Sequence, residues 1–326
     1  MGSIGILANP ASGKDVRRLV ARASVFDNQE KRNIVRRILV GANAVGANKF
    51  VYHNDAHGIV VQALEELGGK TPIEATPVDS TQMGTALDTI SAARAMRDAG
   101  CDIVITLGGD GTNRAFCLGW PDAPLIPIST GTNNVFPNLY EATVAGAAAG
   151  LAATGQIDQS FFQQQKSINI KIEDERDDIA LIDALLSKER FVGARALLKP
   201  DQFSSALLTR AEPAAVGITA IGGLLHPIST HSDTGLWLEF GSGGSVINAP
   251  IAPGLYEQVN VRSFQPLALH QTVRCTGPGT LAFDGERERT LKPDQVAELT
   301  MHLNGPRVLN VEAALQRAAE IGIFRN

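Results

Sequence analysis

The stretch Leu107-Gly108-Gly109-Asp110-Gly111-Thr112-Asn113 constrains this chain more than any other. It follows the apolar run Ile103-Val104-Ile105, which reads as a short buried strand, and precedes Arg114-Ala115-Phe116-Cys117-Leu118, which can begin a helix. Glycines at 108, 109 and 111 remove side chains where a sheet hands over to a helix. Glycine there permits positive φ and lets another molecule approach the backbone closely. The N–H groups at a helix N-terminus offer a site for phosphate oxygens. Asp110 repels an anion, which makes sense if it takes a proton from, or positions, a nucleophile beside a Mg-bound phosphate chain. The plain alternative is a tight turn, where Gly-Asp-Gly is common. Placement at the C-terminal end of a strand favours the phosphate site.

Two more stretches repeat this design. Residues 4–8 form an apolar run, followed by Asn9-Pro10-Ala11-Ser12-Gly13-Lys14 and a helix carrying Arg17, Arg18, Leu19 and Val20. Ser12, the amides near Gly13 and the charge of Lys14 suit a phosphate. The Walker spacing is absent, and an ordinary capped βα turn explains this loop equally well. Residues 124–128 make another strand, followed by Ser129-Thr130-Gly131-Thr132-Asn133-Asn134 and a helix. Between these loops, residues 28–40 show a helical stripe of Ile34, Val35, Ile38 and Leu39, with Lys31, Arg32, Arg36 and Arg37 as a solvated face. Residues 49–53 read as a strand and 56–67 as a helix. His53, Asn54, Asp55 and His57 at that junction read as a capped βα loop in preference to a metal site. Residues 73–78 form a strand. Asp79-Ser80 then caps a long helix to residue 99, with Met83, Leu87, Ile90, Ala93 and Met96 inward and Gly100 ending it. Alternating β and α to about residue 155 predicts a parallel sheet with helices on its faces. Ligands of such sheets sit at the strands' C-terminal ends, where all three polar loops lie.

After residue 160 the texture changes. Ile168, Ile170 and Ile172 alternate with polar neighbours, and a series of short strand-like runs follows. Residues 179–198 fit strand or helix, and 201–210 predict a helix riding on the β domain. Gly241-Ser242-Gly243-Gly244 reads as a hairpin loop and Pro253-Gly254 as a turn. Residues 312–321 predict an amphipathic helix that packs back on the first domain. The pair Asp284-Gly285, between two strand-like runs, is a strong type I′ hairpin signal. The same loop offers Asp284 and Glu286 to the crevice as base or Mg ligand. The expected fold is α/β + β: an N-terminal Rossmann-like parallel sheet with helices on both faces, a C-terminal β-sandwich-like domain, and a returning terminal helix. The expected domains are residues 1–158 with 305–326, and residues 159–304.

A chain of 326 residues is long enough for two cores. Its net charge of −5 argues against nucleic acid or an anionic membrane surface as partner. The cysteines at 101, 117 and 275 are scattered and read as buried reduced thiols. No apolar run approaches the ~20 residues of a membrane helix, and the N-terminus lacks the basic start of a signal peptide. A cytoplasmic protein without stable membrane insertion is expected.

Asn9-Pro10-Ala11-Ser12-Gly13, Gly108-Gly109-Asp110-Gly111-Thr112, Gly131-Thr132-Asn133-Asn134 and Asp284-Gly285-Glu286 occur in an order and at spacings that resemble the NAD kinase/diacylglycerol kinase superfamily. Ala249-Pro250-Ile251-Ala252-Pro253-Gly254 and Phe283-Asp284-Gly285-Glu286-Arg287 make the chain most similar to the acetoin-catabolism X (AcoX) proteins, an ATP–NAD kinase-like group. The resemblance implies phosphoryl transfer from ATP to a hydroxyl, with Mg²⁺. The favoured acceptor is the NAD 2′-hydroxyl, giving NADP, with a lipid or other polyol second. It assigns the base to Asp110, as in NAD kinases, or to Glu286, as in bacterial lipid kinases, with Asp284 beside it. Nucleotide binding falls to Asn9, Ser12, Gly13, Lys14, Gly108, Gly109, Gly111, Thr112, Asn113, Gly131, Thr132, Asn133 and Asn134. Val135 replaces the final aspartate of the lipid-kinase Gly-Thr-x-Asn-Asp pattern, and the Asn-Glu pair of NAD kinases is not recognisable. A dimer or tetramer is implied, since many relatives pair through the β domain. A nucleotide sensor without turnover is the alternative from another class.

Overall fold

Strand β1 (Ile4–Ala8) is buried along its whole length and pairs in parallel with β2 (Lys49–Tyr52) and β4 (Ile103–Gly108). The computed structural model describes residues 2–13, 26–69, 71–131, 133–189 and 199–325, without the side chains of Arg287 and Glu288. The expected helix of Arg17 to Val20 therefore lies outside the described residues, as do Lys14 and Thr132. With β3 (Glu74–Pro77) and β5 (Pro124–Ser129), the first sheet begins in the order β3-β2-β1-β4-β5. It continues through β17 (Arg307–Leu309), parallel to β5, and β6 (Phe162–Gln164), antiparallel to β17. The order reverses between β1 and β4, so the loops after those two strands flank the switch point where ligands of open α/β sheets bind.

Side-chain alternation along these strands splits the core into two layers. Ile4, Ile6, Ile103, Ile105 and Leu107 face α1 (Asn28–Ala44), α2 (Ile59–Leu67), α5 (Ala142–Ala153) and α7 (Val311–Glu320). Leu7, Val104 and Leu125 face α3 (Ala86–Asp98) and α4 (Asp110–Gly119). The terminal helix α7 does return to the first sheet, burying Val311, Ala314 and Ala318. Small residues set the α1–α5 spacing: a Cβ on Gly146 would run into the backbone carbonyl of Ile38.

Helix α3 is shorter than its sequence pattern suggests. Thr85 is its cap, and Asp88 accepts from the N–H groups of Met83, Gly84 and Thr85, closing a capping box. That box starts the helix at Ala86, leaving Met83 and Leu87 exposed while Ala93 and Met96 are buried. The helix after the third loop likewise begins only at Ala142.

The second half contains two antiparallel sheets. One has six strands: β12 (Leu255–Ala268), β11 (Thr234–Ala252), β10 (Phe203–Leu208), β9 (Asp183–Ser187), β14 (Gly279–Phe283) and β15 (Glu286–Leu291). The other has four: β13 (Thr272–Thr276), β16 (Val296–His302), β7 (Ser167–Ile172) and β8 (Asp178–Ala180). Ile168, Ile170, Leu186, Leu207 and Phe283 fill the space between them. The expected helix over 201–210 is instead strand β10, hydrogen-bonded between β9 and β11. Leu207 faces one core and Ala206 and Leu208 the other, and burial on both faces outweighs local helical spacing. On the outer face lies α6 (Ile218–Leu225). Residues 241–244 do not turn the chain. Phe240 and Ser245 both oppose Val261, so the glycines form a bulge inside one long strand. Pro253-Gly254 makes the hairpin, between the paired Ala252 and Leu255.

Candidate functional site

Gly109 is the N-cap of α4, and Asp110 is its first residue. A helix leaves its first N–H groups without intrahelical partners, so α4 presents a set of donors at the switch point. Two glycines here sit at close approaches to side chains of other segments. A Cβ on Gly109 would sit 2.7 Å from Asn134 Oδ1, and one on Gly111 would fall on the Glu286 carboxylate. The second loop thus meets the third loop on one side and the β domain on the other.

Hydrogen bonds tie the three loops together. Asn9 Nδ2 donates to Thr112 Oγ1 at 2.9 Å, and Ser12 Oγ lies 2.8 Å from Thr130 Oγ1. Asn134 Nδ2 donates to Ser129 Oγ at 2.8 Å, and Ser129 Oγ donates to the Gly131 carbonyl at 2.7 Å. Thr130 N–H donates to the Gly108 carbonyl at 3.2 Å. Asp110 accepts from the N–H of Phe136 at 2.8 Å and from that of Val135 at 3.1 Å. Asn133 is exposed. The Asn113 side chain turns inward, where its Oδ1 accepts from Thr106 Oγ1 at 2.7 Å and its Nδ2 donates to the Gly109 carbonyl at 2.9 Å.

Asp284 and Gly285 have φ of 50° and 75°, the type I′ geometry expected for the β14–β15 hairpin. The two carboxylates of this hairpin, Asp284 and Glu286, divide in use. Asp284 Oδ1 accepts from the N–H groups of Leu181, Ile182 and Asp183 at 3.0, 2.7 and 3.2 Å, so it clamps the β8–β9 connection. Glu286 is exposed and lies against the N-terminus of α4.

Two site residues escaped the sequence reading. Asp183, 9% exposed, feels the charges of Asp110 and Asp284, and burial among them raises its carboxyl well above the usual range. A lone carboxylate inside Ile179-Ala180-Leu181-Ile182-Asp183-Ala184-Leu185-Leu186 was the available signal. Arg210, two residues beyond β10, is buried with its guanidinium 5.8 Å from the Phe136 ring centre and near Asp110 and Asp284. Burial pushes Asp110 up to about 7, with Asp284 adding to the shift and the Phe136 and Val135 amides opposing it. Burial raises Asp284 to about 6 against its backbone donors and Arg114. The cluster can therefore hold and release protons near neutral pH.

Other expected features are structural. Lys31 is not on a solvated face but fully buried beneath the first loop. Asp55 accepts from the N–H groups of His57 and Ile59, and His53 Nδ1 lies 2.8 Å from Ser80 Oγ. All three cysteines are buried and free.

Residues 4–157 match the ATP-NAD kinase N-terminal domain, and residues 166–304 match the acetoin catabolism protein X C-terminal domain. The chain is 37% identical over 337 residues to acetoin catabolism protein X of Cupriavidus necator, covering 99% of this chain and 94% of that protein. An uncharacterized protein of Archaeoglobus fulgidus is 29% identical over 136 residues, 42% of this chain and 36% of that one. The fold is similar to that of yeast NADH kinase complexed with NADH, with a TM-score of 0.54 and 12% identity over 100% of this chain and 89% of the other. It is also similar to a diacylglycerol kinase from Bacillus anthracis, with a TM-score of 0.50 and 11% identity over 94% and 96%.

Proposed function

The chain belongs to the acetoin catabolism protein X family, and from that premise we propose that it is an ATP-dependent kinase of small hydroxyl compounds, with the NAD 2′-hydroxyl as favoured acceptor. The observation that carries this is the N-terminus of α4 at the switch point, hydrogen-bonded to both neighbouring loops and touched by Glu286. The match of the first domain to ATP-NAD kinases and the fold shared with NADH and diacylglycerol kinases support it. Donor phosphates would take the α4 amides, with Asn9, Ser12 and Thr112 shaping the loops around them.

Among the described residues no three Asp, Glu, His or Cys side chains form a cation cage. Mg²⁺ would come with the nucleotide, on phosphate oxygens and water, and would neutralise charge there. The acceptor oxygen forms a bond to the γ-phosphorus while the bond from that phosphorus to the β–γ bridging oxygen breaks. The nucleoside diphosphate leaves with the electron pair, and the hydroxyl proton passes to a carboxylate. Asp110 and Glu286 are the candidates. Among the described residues Asp110 Oδ2 accepts from the Val135 N–H alone and keeps a lone pair. Asp284 Oδ1 takes three backbone N–H groups and its Oδ2 shares that of Leu181, so its first task is to clamp the β8–β9 connection.

The test is ADP release with NAD, glycerol or diacylglycerol as acceptor. Turnover with NAD is expected. It should fall about 10²–10⁴-fold in whichever of Asp110→Asn and Glu286→Gln removes the base. Tight nucleotide binding with no turnover on any acceptor would refute the kinase and leave the sensor.

A further inference from the structure

The basic stripe of α1 has two parts. Arg36 and Arg37 stand at the surface and pair with Glu66 at 3.1 Å and Glu30 at 2.8 Å. Lys31 goes inward. Its Nζ donates to the carbonyls of Asn9, Pro10 and Ser12 at 2.8, 3.2 and 2.7 Å, and to Asn28 Oδ1 at 3.2 Å. An ammonium is costly to bury and is disfavoured in the first turn of a helix. Its contacts with the first loop must offset both effects.

A trans peptide points its C=O and N–H to opposite sides. With the Ser12 carbonyl drawn onto Lys31, the N–H of Gly13 is turned away from α1. The Ala11 N–H is used internally, by Asn9 Oδ1 at 2.9 Å. Among the described residues no acceptor takes the Gly13 N–H. Gly13 has φ of 81°, and a Cβ there would sit 2.8 Å from the Thr130 carbonyl and 2.9 Å from Phe26, so this residue packs between the third loop and the segment that enters α1.

We propose that Lys31 is a positioning residue which turns the Gly13 N–H outward as a donor to the phosphate oxygens of a nucleoside triphosphate, and places a buried positive charge behind that loop. The proposal rests on the phosphoryl-donor reading above. It assigns donor affinity, rather than acceptor affinity or proton transfer, to this lysine.

Calorimetric titration with ATP and with inorganic tripolyphosphate tests it. Lys31→Met should weaken both by about tenfold, as expected for losing a charge-assisted contact. The acceptor KM and the kcat at saturating ATP should stay within about threefold of wild type, and Lys31→Arg should recover part of the donor affinity. Equal donor affinity in Lys31→Met overturns the proposal, as does a parallel loss of donor and acceptor affinity. If that variant does not fold, the wild-type chain decides. The Gly13 amide proton resonance should move downfield on adding tripolyphosphate, and an unmoved resonance overturns the proposal. A wild type that binds neither ligand refutes the donor reading itself, and this proposal with it.

Discussion

At the scale of single residues, Asp110 and Asp284 share the field of the buried Arg210 guanidinium, and Asp183 feels the charges of both carboxylates. Burial holds Asp284 at about 6; burial with repulsion from Asp284 holds Asp110 at about 7, and burial with repulsion from Asp284 and Asp110 raises Asp183 well above the usual range. An unfolded aspartate titrates near 3.9. Between that value and about 7, the folded chain keeps protons that the unfolded chain has released, so its stability falls as pH rises through this window. Asp183 is the group whose neutralisation should relieve this most, because among the described residues no donor reaches its carboxyl. Asp183→Asn is expected to be more stable than wild type by roughly 1–3 kcal/mol near pH 8, shrinking toward zero near pH 4. Urea unfolding at several pH values measures it, and a pH-independent difference would contradict the assignment.

At the scale of elements, glycines with similar clashes differ in what a methyl group would meet. A Cβ on Gly111 meets the end of a flexible, exposed Glu286, whereas one on Gly146 meets the backbone carbonyl of Ile38 across the α1–α5 contact. Gly111→Ala should leave the melting temperature unchanged or higher, since alanine favours a helix by about 1 kcal/mol. It should lower kcat/KM by displacing Glu286 from the α4 terminus. Gly146→Ala should destabilise by about 1–3 kcal/mol, because packed backbones cannot yield. Calorimetric melting and initial rates on both variants check the contrast. Much of this level was legible in sequence: the alternating Ile168, Ile170 and Ile172, the Asp284-Gly285 turn, and the strand–loop–helix handover at Gly108. Strand β10 was not legible, since its two buried faces depend on cores supplied by distant segments.

At the scale of the whole molecule, Arg114 joins the helix that forms the second loop to the β domain. Its Nε donates to the Ile179 carbonyl at 2.6 Å, it pairs with buried Asp178, and its guanidinium lies 5.2 Å from the Phe283 ring centre. Leu181 and Ile182 of the β8–β9 connection enter the same core as α3 and α4. The clamp at Asp284 is thus coupled to the second loop through packing and charge. Arg114→Met should cost about 3 kcal/mol, the lower end for breaking a buried pair, because Asp178 retains Arg289 at 3.1 Å. Denaturant unfolding reads that loss, and a change below about 1 kcal/mol would show that Arg114 does not couple the domains.

Local pattern alone was enough for the Asp284-Gly285 and Pro253-Gly254 turns, for most strands and helices, and for the three polar loops that end parallel strands. Those features depend on a few neighbouring residues, so a linear pattern records them. The tertiary structure alone decided what the polar side chains do. Asp183 and Lys31 became buried, Asp284 became a clamp, and Asp110 acquired the Val135 and Phe136 amides as partners. Desolvation and hydrogen-bond supply come from segments far apart in the chain. The same GGDG pattern can therefore anchor a loop, hold a phosphate or take a proton, according to which distant groups fold against it.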